Sequence, residues 1–124
     1  MPPAAAALGC VVLLVEDDRV SREALAGILR VKKFQVEAAA SLGEALDSLD
    51  AGLPDAILLD LMLPDGTGLD VLRRVKAAGK AAVPVAVISG SAEQMIDQAV
   101  ALGADHVFRK PLSATKVLAW LEQA

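Results

Sequence analysis

The sequence predicts an α/β fold in which one sheet of parallel strands is covered by helices on both faces. Two observations predict it. Short apolar runs of strand length alternate along the chain with longer segments whose apolar residues recur at helical spacing. Five such strands and five such helices follow one another with no internal repeat or linker between them. This alternation favours parallel strands joined by crossover helices.

The first strand is predicted at Cys10–Val15, a continuously apolar run that is typical of a central strand covered on both faces. A helix follows, with its charged side chains opposite its apolar face. The apolar residues that recur at helical spacing, and that we expect to face inward, are Val20, Ala24, Leu25, Ile28, Leu29 and Val31.

Alternating polarity over Phe34–Ala38 predicts a half-exposed second strand at an edge of the sheet. Ser41 and Glu44 then form a capping box, in which the hydroxyl accepts from a free backbone amide and the carboxylate reaches back along the chain. We expect the second helix to end at Gly52, because glycine favours the backbone conformation that ends helices.

Three further strands are predicted at Ala56–Asp60, Pro84–Ile88 and His106–Phe108. Each is followed by a turn or break signal and then by a helix with an apolar face. The residues that mark the starts and ends of these three helices are Gly68 and Gly79, Ser91 (with Gln94) and Gly103, and Ser113.

Length and composition fit one globular domain, with 124 residues of which 55 % are hydrophobic. We expect residues 1–8 to be a disordered or loosely packed tail and residues 9–124 to form the domain. The net charge of −4 argues against direct nucleic-acid binding. No apolar run approaches the ~20 residues that span a bilayer, and no basic segment of a signal peptide precedes the first strand. We therefore expect a cytoplasmic protein, with its one cysteine, Cys10, in the core.

Polar side chains follow four of the five predicted strands. Asp17 and Asp18 follow the first strand, Asp60 ends the third, Ser89 follows the fourth and Lys110 follows the fifth. Parallel strands place their carboxyl ends at one edge of the sheet, where ligands bind in open α/β folds. We therefore expect these five residues to share one site.

Three clustered carboxylates repel one another, and a divalent cation relieves that repulsion. Oxygen ligands that leave room for water are typical of Mg²⁺ sites. A metal ion beside a lysine and a hydroxyl suits a phosphoryl group. In this interpretation Asp60 is the nucleophile, because a carboxylate can take a phosphoryl group as an acyl phosphate.

Residues 10–123 resemble the receiver domain of two-component response regulators. The resemblance is carried by four motifs in order, which are Val15–Asp18, Leu59–Gly66, Ser89-Gly90 and Lys110-Pro111. It implies a flavodoxin-like (βα)5 sheet with the strand order 2-1-3-4-5. It also implies a cis peptide bond between Lys110 and Pro111.

The resemblance assigns a role to each site residue. Asp60 would be phosphorylated by a histidine kinase or histidine phosphotransfer protein. Ser89 would move toward the phosphoryl group, and Lys110 would pair with its oxygens. The groups implied to hold Mg²⁺ are Asp17, Asp18, Asp60 and the backbone carbonyl of Met62.

Phosphorylation is then expected to change the surface formed by the fourth helix, the fifth strand and the fifth helix, which would control an unknown output domain or target protein. The family often has an aromatic residue three positions before the lysine, where this chain has Val107. Phe108 should point to the opposite face. The fifth helix, with Lys116 and Trp120, lacks the charges of dimerising receivers, so we expect a monomer or weak dimer.

Other interpretations of these residues exist. Asp17 and Asp18 could cap the first helix. A Mg²⁺-dependent phosphatase of the haloacid dehalogenase type also uses an aspartate at a strand end, but it requires a second aspartate two positions later, where this chain has Met62. We therefore expect no enzyme activity beyond self-phosphorylation and self-dephosphorylation. The last residue, shortly after the fifth helix, suits either a single-domain regulator or part of a longer one.

Overall fold

The computed structural model describes residues 10–77, 83–90 and 93–123. Five strands of this part of the chain form one parallel sheet with the order β2-β1-β3-β6-β7, and two short strands, β4 and β5, form a separate antiparallel hairpin. The strands are β1 (Val11–Val15), β2 (Gln35–Ala39), β3 (Ala56–Asp60), β4 (Met62–Leu63), β5 (Gly66–Thr67), β6 (Val85–Ser89) and β7 (His106–Arg109). Counted along the main sheet, this is the predicted order 2-1-3-4-5.

In the described part of the chain, five helices connect these strands. They are α1 (Arg19–Val31), α2 (Leu42–Ala51), α3 (Leu69–Ala77), α4 (Glu93–Ala101) and α5 (Ala114–Gln123). The core on one side of the sheet lies under α2, α3 and α4, and the core on the other side lies under α1 and α5. The doubly wound α/β fold predicted from the alternation is confirmed.

The burial of the central strands explains their continuous apolar runs in the sequence. Every residue of β3 and of β6 is buried, and β1 is buried except for its first residue. Strands covered on both faces are continuously apolar, which is the pattern seen in the sequence. Edge strand β2 alternates instead, and only its last residue, Ala39, is buried.

Helix α1 departs from its prediction. Its buried residues are Leu25, Ala26 and Leu29. Val20 and Val31 are 77 % and 75 % exposed, and Ala24 and Ile28 are exposed as well, so the prediction that these four residues face inward is wrong. The apolar arc of this helix is wider than the stripe that the sheet covers, and its outer part faces solvent.

The capping box at α2 is confirmed. The Glu44 N–H donates to Ser41 Oγ at 3.1 Å, and the Glu44 carboxylate accepts from the Ala40 N–H at 3.0 Å. The Lys110–Pro111 peptide bond is cis, as the resemblance implies. The expected tail at 1–8, the helix end at Gly79 and the cap at Ser91 lie outside the described residues. Among the helices described, none is both long and apolar enough to cross a membrane.

Candidate functional site

Three polar or charged residues are buried in the part of the chain that the structure describes, and all three lie at the carboxyl ends of strands. Glu16, directly after β1, is 2 % exposed, while Asp60 at the end of β3 and Ser89 at the end of β6 are each 3 % exposed. Burying a charged group costs free energy unless a partner compensates for it. Their position at one edge of the sheet therefore marks this edge as the candidate site.

Lys110 supplies the compensating charge. Its Nζ lies 3.0 Å from Asp60 Oδ2 and 3.4 Å from Glu16 Oε2. The other oxygen of Asp60, Oδ1, accepts from the Met62 N–H at 3.0 Å. Both oxygens of Asp60 are thus held in place, by the ammonium group on one side and by the backbone on the other.

Three carboxylates converge at this edge. One oxygen from each of Glu16, Asp17 and Asp60 lies within 4.8 Å of the others. Glu16 and Asp60 are buried, whereas Asp17 is exposed, so the cluster opens to solvent on one side. An all-oxygen donor set of this kind, with room left for water, fits a hard divalent cation such as Mg²⁺.

Asp18 lies outside this group of three. It is the N-cap of α1, and its Oδ2 accepts from the Ser21 N–H at 2.9 Å. A hydrogen bond with the Ser21 side chain, and after it the bond from the Ser21 N–H, lowers the pKa of the Asp18 carboxyl. The helix-cap alternative describes this residue, and Glu16, not Asp18, lies in the acidic cluster with Asp17 and Asp60.

Glu16 was missed although the motif that contains it was recognised. The Glu16 N–H donates to the Ala39 carbonyl at 3.0 Å, so the pairing with β2 continues for one residue beyond β1. Glu16 therefore remains part of the buried sheet edge. The signal in the sequence was its place directly after the apolar run, one residue nearer the strand than Asp17.

The electrostatics of Glu16 and Lys110 differ. Burial is the main cause that raises the pKa of the Glu16 carboxyl, and the nearby charge of Asp60 adds to it, against the Asp18 N–H and the charge of Lys110. For Lys110, burial opposes the charged form, but the hydrogen bond to Asp60 and the charges of both carboxylates outweigh it and raise its pKa. The site thus combines a lysine whose charged form is favoured with a glutamate whose charged form is disfavoured.

Ser89 and Lys110 approach the site from neighbouring strands. Ser89 follows Ile88, whose register partner in β3 is Asp60, and its carbonyl accepts from the Lys110 N–H at 3.0 Å. Val107 packs partly buried against the core under α2, α3 and α4, while Phe108 is buried in the other core. The predicted opposite orientation of these two side chains is confirmed.

Comparisons with known proteins identify the family of this chain. Residues 12–122 match the family described as the response regulator receiver domain. The chain belongs to this family. A response regulator MprA of Mycolicibacterium vanbaalenii is 36 % identical over 111 residues, which cover 87 % of this chain and 47 % of that protein. A transcriptional regulatory protein DltR of Streptococcus agalactiae is 35 % identical, with 87 % and 48 % covered. The receiver chain thus spans about half the length of these curated relatives.

Solved receiver structures have the same fold. A CheY-like receiver of Methanospirillum hungatei superposes with a TM-score of 0.85 at 24 % identity, covering 93 % of this chain and 91 % of that one. The non-phosphorylated HemR receiver of Leptospira biflexa gives 0.80 at 32 % identity, with 91 % of each chain covered. A response regulator of Burkholderia pseudomallei, solved with a phosphorylated aspartic acid, a calcium ion and citrate, gives 0.82 at 28 % identity, with 90 % and 66 % covered.

The family is that of receiver domains of two-component systems, and the predicted receiver is confirmed. The alternative of a haloacid dehalogenase-type phosphatase finds no support among them. The roles of the individual site residues remain predictions.

Proposed function

We propose that this domain accepts a phosphoryl group on Asp60 from a phosphohistidine of a histidine kinase or phosphotransfer protein, in the presence of Mg²⁺. The observation that carries the proposal is a buried aspartate at a strand end, held by Lys110 at 3.0 Å and adjoining an acidic cluster. A buried carboxylate next to other carboxylates does not stabilise the fold, so a functional role is the better explanation for it. A carboxylate in such a place suits a nucleophile. The solved relative with a phosphorylated aspartic acid supports the same chemistry.

The residues proposed to hold Mg²⁺ are Glu16, Asp17, Asp60 and the backbone carbonyl of Met62. When bound, the ion supplies positive charge that relieves the carboxylate repulsion and neutralises phosphoryl oxygens. Asp18, predicted as a ligand, serves instead as the cap of α1 in this proposal, since its oxygen is engaged by Ser21.

The transfer itself needs few groups. An oxygen of Asp60 forms a bond to phosphorus, the bond from phosphorus to the donor's imidazole nitrogen breaks, and its electron pair remains on that nitrogen. Lys110 stays protonated and neutralises charge on the phosphoryl oxygens. Ser89, at the end of the adjacent strand, donates a hydrogen bond to one of them.

The acyl phosphate is proposed to persist as a signal. Position 62, two residues after Asp60, is a methionine whose side chain is 57 % exposed and carries no acid or base. Without a positioned base, water attacks the phosphoryl group slowly. The domain therefore acts as a phosphoacceptor switch and has no activity beyond self-phosphorylation and self-dephosphorylation.

The donor is proposed to dock beside α1. The solvent-facing apolar stripe of this helix, formed by Val20, Ala24, Ile28 and Val31, recurs at helical spacing, which suits packing against a helix of the partner. Part of it borders a cavity of about 590 Å³ that is lined also by Lys110 and Pro111. This surface is continuous with the mouth of the site.

The output is proposed to involve α4, β7 and α5. Ser89 ends β6, and α4 starts at Glu93, so movement of Ser89 would be passed to α4 and then to β7 and α5. A cavity of about 580 Å³ beside β7 and α5 is lined by Trp120, His106 and Lys116, among others. It would contact an output domain or a target protein. A cytoplasmic location and a monomeric or weakly dimeric state belong to this proposal.

Phosphorylation of the isolated domain by a small phosphodonor tests the function. Intact-protein mass spectrometry after incubation with acetyl phosphate and Mg²⁺ should show one added phosphoryl group, which Asp60→Asn and chelation of Mg²⁺ should each abolish. Transfer from a panel of phosphorylated histidine kinases would then identify the donor. Absence of any phosphoryl adduct on the wild-type protein from every donor would refute the proposal.

A further inference from the structure

The segment after Asp60 is a small hairpin that turns at Asp65. Met62 pairs with Thr67 and Leu63 with Gly66 in antiparallel register. Asp65 precedes Gly66, and aspartate is a common turn residue. Its side chain instead makes two bonds to a distant part of the chain, and these bonds give it a further role.

Asp65 binds the N-terminus of α2. Its Oδ1 accepts from the Leu42 N–H at 2.7 Å and its Oδ2 accepts from the Gly43 N–H at 3.0 Å. Ser41 accepts from the Glu44 N–H, so the free amides of this helix end are shared between a local cap and Asp65. These two bonds lower the pKa of the Asp65 carboxyl, which remains charged at neutral pH.

The base of the hairpin is also fixed. The Gly68 N–H donates to the Leu61 carbonyl at 2.9 Å. A side chain at Gly68 would bring its Cβ within 2.5 Å of the Asp60 carbonyl oxygen and 3.0 Å of the Leu59 side chain. Only glycine lets the chain pass so close to the phosphoacceptor. The hairpin is therefore held to β3 at its base and to α2 at its tip.

The hairpin in turn contacts the Asp60 carboxylate. The Met62 N–H, in β4, donates to Asp60 Oδ1 at 3.0 Å. A tilt of the hairpin would move this donor and the Met62 carbonyl together. Among the described residues, Asp65 makes the side-chain hydrogen bonds that join the hairpin tip to α2.

We propose that Asp65 is a positioning residue for the phosphoacceptor, because it fixes the hairpin against α2 and so sets the Met62 backbone relative to Asp60. This inference rests on the proposed function for its kinetic consequence, but its structural part does not. Loss of Asp65 should loosen Met62 and slow phosphorylation of Asp60 without removing any group that touches the phosphate.

Asp55 offers a matched control. Its Oδ2 accepts from the Val11 N–H at 2.7 Å, so it also joins a carboxylate to a distant backbone amide. It lies before β3, at the opposite end of the sheet from Asp60. Asp55→Ala should therefore lower stability as Asp65→Ala does, while leaving the phosphoacceptor undisturbed.

The experiment measures three quantities for the wild type, Asp65→Ala, Asp65→Asn and Asp55→Ala. They are the melting temperature, the hydrogen-exchange rate of the Met62 amide by NMR, and the rate of phosphorylation by acetyl phosphate at saturating Mg²⁺. We expect Asp65→Ala to accelerate exchange at Met62 and to slow phosphorylation about tenfold. Asp65→Asn, which keeps one acceptor oxygen, should recover part of both losses. Asp55→Ala should change the melting temperature alone.

Two results would overturn the proposal. One is wild-type exchange at Met62 in both Asp65 variants; the other is an equal loss of rate in Asp65→Ala and Asp55→Ala, which would make the effect one of general stability. Failure of the proposed function would look different, since the wild type itself would take no phosphate. The exchange of the Met62 amide would still test the positioning role in that case.

Discussion

Carboxylates lie at both ends of the sheet, but their surroundings differ. At the amino ends of the strands, Asp55 accepts from the Val11 N–H at 2.7 Å and Asp105 accepts from the Val85 N–H at 2.8 Å. Each of these two carboxylates satisfies the first amide of a neighbouring strand. At the carboxyl ends, Glu16, Asp17 and Asp60 converge on one another instead.

Carboxylates at the amino ends of the strands therefore stabilise the fold, whereas those at the carboxyl ends are suited to function. A carboxylate on a fixed amide donor stabilises the fold, because it satisfies a group that would otherwise lack a partner. A carboxylate among carboxylates is destabilised by their repulsion, which Lys110 offsets in part. Substitutions at the two ends should consequently have opposite effects on stability and activity.

The largest effect is expected at Asp60. Asp60→Asn should abolish phosphorylation, because the amide cannot act as the nucleophile. It should leave the melting temperature equal to or above that of the metal-free wild type, since one charge of the crowded cluster is removed. Mass spectrometry after acetyl phosphate treatment and thermal unfolding measure the two quantities. Phosphate uptake by the variant equal to that of the wild type would show that another residue is the acceptor.

Mg²⁺ should stabilise the wild type. Binding to the folded state alone at ten times the dissociation constant contributes about 1.4 kcal/mol, which corresponds to roughly 5 °C in melting temperature. Thermal unfolding with and without the ion measures this shift, and Asp17→Asn should reduce it. Asp105→Asn, at the other end of the sheet, is the control and should keep the full shift. A wild-type melting temperature insensitive to millimolar Mg²⁺ would contradict the proposed metal site.

Glu16→Gln should stabilise the metal-free protein. Burial raises the pKa of Glu16, so the folded state binds this proton more tightly than the unfolded state does. Its contribution to the free energy of unfolding therefore falls as pH rises through the ordinary value of 4.5 toward the raised one. Urea unfolding in a chelator should show the advantage of the variant growing over that pH range and remaining above it. A variant less stable than the wild type at neutral pH would show that the ion pair with Lys110 outweighs burial.

Asp105→Ala should destabilise the protein, in contrast to Glu16→Gln. The Val85 amide loses its partner and Lys76 loses an ion-pair partner at 3.8 Å, so the free energy of unfolding should fall by about 1 kcal/mol. Phosphorylation of Asp60 should keep its wild-type rate, because Asp105 lies at the far end of β6 and β7. Denaturant unfolding and the acetyl phosphate assay provide the measurements. A clear loss of rate would mean that the two ends of the sheet are coupled.

Much of this arrangement could be predicted from the sequence, because buried parallel strands leave an unbroken apolar pattern. The ends of β1, β3 and β6 follow from where that pattern stops, and Asp60 and Ser89 follow with them. Lys110 was identified by its position after the short fifth strand. The positions of these residues at one edge of the sheet follow from the chain direction and from the parallel arrangement of the strands. The apolar pattern determines both.

The rest depends on tertiary contacts that a pattern does not contain. Three acidic residues follow β1, and the choice between Glu16 and Asp18 depends on one further bond to β2, from the Glu16 N–H to Ala39. The exposure of Val20 depends on how far the sheet extends beneath α1. The bonds of Asp65 to α2 join residues more than 20 positions apart, and no local signal predicts them.

The smallest effect is expected at Val107, which lies within β7, two residues before its end, and outside the carboxylate cluster. Val107→Ala removes two methyl groups from a half-buried position, so it should cost about 1 kcal/mol in the free energy of unfolding. The rate of phosphorylation should stay near that of the wild type, because Val107 pairs with Val87 and contributes no polar group to Asp60. Asp105→Ala is the matched comparison, with a similar loss of stability from the other end. A large loss of rate in Val107→Ala would place an apolar contact in control of the site, and charge would then no longer be the feature that separates the two ends of the sheet.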